Sequence, residues 1–263
     1  MEKFTEKDMQ ELLEYRMCKQ AIENYQICMK THPHSEEFQK AAKIVIESMH
    51  PDCNLRIADY LRKFPYEFKI TNNPEFDEYF VAHEQAILKS GNAEYNFRFA
   101  KEFSRSNVTA HADVVLKSGD IEYNYKFAEF FSPPYTNNWA YWRLHSDVVL
   151  KSGDVKYNCF LAVDGLSSHP IRKHADVVLN SRSAEYNFIC AKRFHKHAAA
   201  LRLGVDFRNH ARVVLKSKEE KWIKLLEENL GMMQIGFVRA SEGKGFLGTL
   251  RNIFKSNDKK EVL

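Results

Sequence analysis

Residues 111–131 read HADVVLKSGDIEYNYKFAEFF, and this stretch recurs along the chain with few changes. Copies begin, in chain order, at Ala41, His83, His111, His145, His174 and His210. The asparagine at the centre of the first five copies recurs after 42, 28, 34 and 29 residues. Periods of this length are typical of arrays in which one small unit stacks on the next. The sequence therefore predicts a repeat protein.

Each copy predicts two short helices joined by a tight turn. The first helix ends in a basic turn at Gly119, which can adopt the left-handed conformation of a helix C-cap. Asp120 then caps the start of the second helix. Counting from Asn124, the residues at −1, +3, +4 and +7 share one helical face. They are Tyr123, Phe127, Ala128 and Phe131. So small a unit cannot bury this face alone, so we expect neighbouring units to stack.

The predicted fold class is all-α, a solenoid-like array of short helix–turn–helix repeats. We expect an N-terminal helical cap over residues 1–40, about six units over 41–230, and a divergent glycine-containing tail over 231–263. The first copy lacks the histidine and the last lacks the asparagine, as expected of units that cap the ends. A content of 44% apolar and 13% aromatic residues suffices for a core, whereas 10 Gly and 7 Pro weigh against a turn-rich β-sandwich.

The composition also bears on the cellular compartment. No apolar run approaches the roughly 20 residues of a membrane span, and residues 1–7 lack the apolar stretch of a secretory signal. The five cysteines are odd in number and form no Cys-x-x-Cys pair. We therefore expect reduced thiols and a cytoplasmic protein.

Asparagine and histidine recur at fixed places in the repeat. The asparagines are Asn54, Asn96, Asn124, Asn158 and Asn187, and the histidines are His83, His111, His145, His174 and His210. A buried amide without partners costs about 1–3 kcal/mol. We interpret the two sets as a structural ladder, in which each asparagine bonds the backbone at a helix turn or the histidine of an adjacent unit. The alternative is a row of ligand-binding amides, but a ligand site needs one special copy, whereas a ladder repeats in all.

Metal and cofactor sites are not indicated. Histidines one repeat apart would lie roughly 10 Å from each other, too far to share a zinc ion bound at ~2.0–2.1 Å. The pairs His32/His34 and His195/His197 lack a third nearby ligand. Residues 243–248 match Gly-x-Gly-x-x-Gly, but too few residues follow to complete a dinucleotide-binding unit. With no catalytic motif present, we expect no catalytic residues, no metal, no cofactor and no enzyme.

Charge is concentrated at the C-terminal end. Residues 192–263 hold 16 Lys+Arg against 8 Asp+Glu, a net charge of +8, whereas the whole chain is at +4. A candidate basic partner surface comprises Lys192, Arg193, Lys196, Arg202, Arg208 and Arg212. The tail adds an apolar stripe at helical spacing, made of Phe246, Leu247, Leu250, Ile253 and Phe254. This stripe predicts a helix that covers the last repeat or, alternatively, one that binds a partner or a membrane surface.

The repeat resembles a family of uncharacterised tandem repeats of bacterial and bacteriophage hypothetical proteins. The resemblance rests on Ser118-Gly119-Asp120, Glu122-Tyr123 and Phe127-Ala128, with equivalents over 90–100, 152–162 and, less closely, 181–191. It implies a helical array and brings no known activity or site residues. Its phage association implies a protein that engages host machinery, in the host cytoplasm.

Three functions fit these observations. The leading hypothesis is a non-enzymatic protein–protein interaction module, a phage-encoded adaptor or inhibitor of a host factor, since arrays offer long docking faces. The second is nucleic-acid binding through the basic C-terminal quarter. The third is an accessory or structural phage protein that self-assembles by repeat stacking. The sequence leaves the partner's identity and the oligomeric state open.

Overall fold

The computed structural model describes residues 6–31, 36–68, 74–103, 106–131, 139–164, 171–196, 205–231, 234–236 and 238. These residues form α-helices joined by turns, with no β-strand among them. The helices are α1 (Glu6–Thr31), α2 (Glu36–Glu47), α3 (Pro51–Phe68), α4 (Pro74–Ser90), α5 (Ala93–Glu102), α6 (Val108–Ser118), α7 (Ile121–Phe130), α8 (Trp139–Ser152), α9 (Val155–Asp164), α10 (Ile171–Ser181), α11 (Ala184–His195), α12 (Phe207–Ser217) and α13 (Glu220–Leu230). The predicted all-α repeat array is confirmed.

After α1, consecutive helices form pairs, and each pair is one copy of the repeat. The first helix of a pair begins several residues before the repeated sequence, at Val108 in α6 and at Glu36 in α2. The predicted boundary between cap and array at residue 40 therefore falls inside α2. His111 is the fourth residue of its helix, whereas His83 lies in the second half of α4.

The turn inside each pair always uses the left-handed backbone conformation. Gly91, Gly119 and Gly153 have φ of 67°, 67° and 69°. The equivalent residues of the other pairs, Met49, Arg182 and Lys218, have φ of 50°, 59° and 64° although they carry side chains. The left-handed turn is thus a property of the repeat, and glycine adopts it with less backbone strain than other residues do.

Short polar side chains start the second helices. The Asp120 carboxylate accepts the backbone N–H of Tyr123 at 3.0 Å, and Asp154 repeats this bond in α9. Asn92 and Ser183 take the same position before α5 and α11. These bonds satisfy one of the otherwise free N–H groups at each helix start.

The apolar core follows the repeat, and the residues group into two compact units, 1–141 and 142–263. In the first, Phe97, Val115 and Phe127 belong to one buried cluster, and a second cluster forms around Tyr25 and Ile57. In the second, a cluster of α11, α12 and α13 side chains also buries Ile235 and Val238, just beyond α13. The chain after residue 230 therefore begins by covering the last helix pair. The apolar stripe predicted over 246–254 lies outside the described residues.

The buried face of the second helix is turned slightly from the predicted one. Phe127, Ala128 and Phe131 are buried as expected, but Tyr123 at −1 is only half-buried. In α5 the residue at position +1 is buried instead, since Phe97 is only 7% exposed. Asn124 itself lies fully buried at the centre of this face. Within the described residues, no helix is long and apolar enough to cross a membrane.

Candidate functional site

The turn of each helix pair is closed by its own polar side chains. Ser118 donates to the carbonyl of Val115 at 2.7 Å, and its oxygen accepts the N–H of Asp120 at 3.1 Å. The Asn124 amide nitrogen donates to the same Val115 carbonyl at 3.0 Å and to the Asp120 carbonyl at 2.7 Å. Equivalent bonds recur at Ser48 and Asn54, Ser90 and Asn96, Ser152 and Asn158, and Ser181 and Asn187.

Histidine joins one helix pair to the next. The Nδ1 to Oδ1 distances for His83–Asn54, His111–Asn96, His174–Asn158 and His210–Asn187 are 2.7, 2.7, 2.6 and 2.7 Å. Each amide nitrogen already donates to two carbonyls, so its oxygen is the acceptor and Nδ1 carries the proton. All of these side chains are buried, as are Asn124 and His145.

Burial keeps the imidazoles of His83, His145, His174 and His210 neutral. It lowers the pKa of His83 and His145 to about 3 and that of His174 and His210 to about 4. A charged imidazole would lose its hydration in this interior, so the neutral form is favoured. The repeated histidines therefore hold the array together and cannot act as exposed acids or bases.

In two ladder histidines, Nε2 lies close to a polar side chain of the preceding unit. That side chain belongs to the residue directly after the preceding unit's histidine. Nε2 of His111 lies 3.2 Å from the carboxylate of Glu84, which also accepts the N–H of Asn107 at 2.6 Å. Nε2 of His174 lies 2.9 Å from the hydroxyl of Ser146. Sequence reasoning missed these two residues. Both residues depart from the repeat and could have been recognised by this, since the position after the histidine is alanine at 112, 175 and 211.

The recurring polar residues are thus enclosed and engaged with each other. Among the described residues, no three His, Cys, Asp or Glu side chains gather into a group that could hold a metal ion. His195, in the last turn of α11, packs on Phe207 with ring centroids 5.0 Å apart. His32, His34, His197 and the glycines at 243–248 lie outside the described residues. In the part of the chain that the structure describes, the ladder leaves no open site.

An open groove of about 750 Å³ lies between the second helices α5 and α7. We call it the α5/α7 groove. It is lined by Glu94, Phe97, Arg98 and Lys101 of α5 and by Tyr123, Lys126, Glu129 and Phe130 of α7. Phe97 is buried beneath this lining, whereas Lys101, Glu129 and Phe130 are exposed.

Aromatic rings form the floor of the α5/α7 groove. The Phe97 ring lies 6.2 Å from Tyr123 and 6.4 Å from Phe130, the latter edge-on at 89°. Phe130 is 39% exposed although it is a large apolar residue. Phe97 also packs on Phe127 in the core, with centroids 6.0 Å apart. The floor is therefore anchored below and open above.

Charged side chains surround this floor. Lys126 lies 2.6 Å from the carboxylate of Glu122, with its ammonium 4.4 Å from the Tyr123 ring centroid. Burial, together with a hydrogen bond to Glu94, raises the pKa of the Tyr123 hydroxyl. The Lys101 ammonium lies 5.8 Å from the Phe97 centroid and 5.2 Å from that of Phe130. Two aromatic rings thus contact one lysine at the mouth of the groove.

The predicted basic surface is partly engaged within the protein. Arg208 contacts both carboxylate oxygens of Asp206 at 2.9 Å. Arg193 donates to the carbonyl of Val163 at 3.3 Å, and Arg212 donates to the Asn209 side chain at 2.7 Å. Lys192 and Lys196 are exposed at the end of α11, and Arg202 lies outside the described residues.

No family model, curated protein or solved structure matches this chain. The resemblance to tandem repeats of phage and bacterial proteins therefore stays a prediction. Functional inference rests on the α5/α7 groove and its chemistry.

Proposed function

We propose that this protein is a non-enzymatic binding module that takes a short segment of a partner protein into the α5/α7 groove. The observation that carries the proposal is the aromatic floor of Phe97, Tyr123 and Phe130, of which Phe130 is 39% exposed. Aromatic side chains contribute much of the energy of protein interfaces, because they bury large areas with few rotatable bonds. A groove of this volume accepts a few side chains of a segment, not a whole domain.

The interior of the array supports binding over catalysis. The side-chain amides of Asn54, Asn96, Asn158 and Asn187 are committed to hydrogen bonds with the turns and with Nδ1 of a histidine in the next helix pair. Acid–base catalysis requires a titratable group within reach of a substrate, whereas the repeated imidazoles are buried. The array is then a rigid support that fixes the distance between α5 and α7.

This reading suits an adaptor or inhibitor that acts by occupying a segment of another protein. In a phage-encoded protein, that partner would belong to the host. All five cysteines are free thiols, which fits a reducing cytoplasm.

Nucleic-acid binding by the basic C-terminal quarter is less well supported. Phosphate binding requires cations that are free to contact the backbone, but Arg208 is paired with Asp206 and Arg193 with a backbone carbonyl. Self-assembly by repeat stacking has no specific contact in its favour.

A peptide-display selection tests the proposal. We expect random displayed peptides selected on the full chain to lose binding when Phe130→Ser removes the exposed ring. The matched control is Leu144→Ser in α8, which changes a residue that is 50% exposed and lies outside the groove. Circular dichroism verifies that both variants keep their helices. Failure to select any binder, or binders indifferent to Phe130→Ser, would refute the proposal.

A further inference from the structure

We infer that the segment bound by the α5/α7 groove is acidic, with an aromatic or large aliphatic side chain next to its carboxylates. This inference rests on the proposed function and specifies its partner. The apolar side chain covers Phe130 and Tyr123, and a neighbouring carboxylate binds the ammonium of Lys101. The argument depends on how the charges that line the groove are already paired.

Four of the five charged side chains of the groove have partners within the protein. Arg98 lies 3.6 Å from the carboxylate of Glu102, and Lys126 lies 2.6 Å from that of Glu122. Glu94 is hydrogen-bonded to the Tyr123 hydroxyl, and Glu129 has an interaction of its own. The two acids of the groove are therefore occupied, and so are two of its three cations.

Lys101 is the remaining cation. Among the residues that the structure describes, no carboxylate lies within ion-pairing distance of its ammonium, which contacts only the rings of Phe97 and Phe130. Lys101 is exposed at the surface. An ammonium has three N–H donors, and the rings use only the side that faces them. Its outer side is available to a carboxylate from a partner.

The spacing of the two features limits the segment that fits. The Lys101 ammonium is 5.2 Å from the centre of the Phe130 ring. An extended chain advances about 3.3 Å per residue, so a carboxylate and an apolar side chain one or two residues apart can reach both. A basic segment would instead meet the ammonium of Lys101, the one cation of the groove that has no carboxylate partner among the described residues. The groove is therefore complementary to a short acidic motif with an apolar anchor.

Fluorescence anisotropy with four labelled peptides tests this inference on the full chain. The probe is a ten-residue peptide with a central phenylalanine flanked on each side by two aspartates. Its matched forms replace the aspartates by asparagine, the aspartates by lysine, or the phenylalanine by serine. We expect the aspartate peptide to bind about fivefold more tightly than the asparagine peptide at low salt, and the difference to shrink at high salt.

Variants of the protein assign this preference to one side chain. Lys101→Met keeps the apolar stem and removes the charge, so we expect it to abolish the difference between aspartate and asparagine peptides. Lys117→Met, in α6 and outside the groove, changes an equally exposed lysine and is expected to leave the difference intact. The serine peptide should bind weakly to every variant.

The outcomes separate the inference from the proposed function. Equal binding of aspartate and asparagine peptides, or tighter binding of the lysine peptide, overturns the acidic assignment, while selected binders that depend on Phe130 keep the groove as the docking site. A preference for aspartate that survives Lys101→Met also overturns the assignment. If no peptide binds and the display selection yields nothing, the proposed function itself fails.

Discussion

The second helices α5 and α7 belong to neighbouring units of the repeat, as do α9 and α11, but the two sets of neighbours pack differently. In α5, the residue after the repeated asparagine, position +1, is Phe97. Its ring centroid lies 6.2 Å from that of Tyr123 and 6.4 Å from that of Phe130. In α9 the same position is Cys159, which lies 3.7 Å from the carbonyl of Tyr186 and 3.6 Å from the Cys190 sulfur. A small residue lets the backbone of α11 approach, whereas a large ring keeps α7 at a distance and leaves a groove.

The comparison separates two kinds of positions in the repeat. The serine, asparagine and histidine network is the same in both places and fixes how units stack. Position +1, which follows the asparagine, differs: it is a large aromatic residue in α5 and a cysteine in α9.

The largest expected effect comes from Phe97→Ala. Loss of a buried ring leaves a cavity, and we expect the free energy of unfolding to fall by about 3 kcal/mol or more. Cys159→Ala in α9 removes a single sulfur atom and should lower the free energy of unfolding by about 1 kcal/mol. Denaturant unfolding of both variants measures the difference. Similar losses would contradict the different roles assigned to position +1.

The hydrogen-bond network of asparagine and histidine is shared by the units of α5 and α9, so it predicts an equal loss of stability in both. Asn96→Ala and Asn158→Ala each leave a buried imidazole N–H without its acceptor, and each should cost about 2–4 kcal/mol. Asn124→Ala is expected to lower Tm in the same way. Asn24→Ala, at an exposed position of α1, serves as the control and should leave Tm almost unchanged. Unaltered stability in Asn96→Ala or Asn158→Ala would show that the ladder is not structural.

Acid should destabilise the array through its neutral histidines. His174 has a pKa of about 4 in the folded protein and about 6.5 when unfolded. The unfolded chain therefore binds more protons between these values, so stability is full above pH 6.5 and falls as the pH drops toward 4. Each such histidine contributes a loss of about 1.4 kcal/mol per pH unit in this range.

Thermal unfolding between pH 7 and 5 measures this loss. A His174→Gln variant is expected to be less stable at pH 7 but less sensitive to acid than the parent chain. A Tm independent of pH over this interval would contradict the buried, neutral state of the ladder.

The smallest expected effect is at the left-handed turn. Arg182→Gly relieves the backbone strain of a residue with φ of 59° and should raise stability by about 0.5–1 kcal/mol. Gly119→Ala should do the opposite by about 1 kcal/mol. A Cβ at Gly119 would meet no atom within 4 Å, so the cost is conformational and involves no clash. Calorimetry of the two variants should thus give Tm shifts of opposite sign.

The sequence predicted the local chemistry of the repeat well. The turn at Gly119, the cap at Asp120 and the burial of Asn124 depend on residues close together in the chain, and each recurs often enough to be recognised. Helix starts were predicted less well, because α2 and α6 extend upstream over residues that do not repeat.

The α5/α7 groove and Glu84 were not predicted. The groove depends on how far two helices stand apart, which follows from the size of Phe97 against residues almost thirty positions later. Glu84 gains its role from His111, 27 residues away. Such contacts between units are invisible to periodicity alone, although a departure from the repeat consensus at Glu84 marks the place.

The hydrogen bonds of each turn lie within one helix pair, and an imidazole-to-amide bond recurs from one pair to the next. In-frame duplication or deletion of a whole unit therefore preserves these recurring bonds. A gene of this kind can lengthen or shorten its product in evolution while the remaining units keep their chemistry, and new docking faces can arise in added copies without risk to older ones.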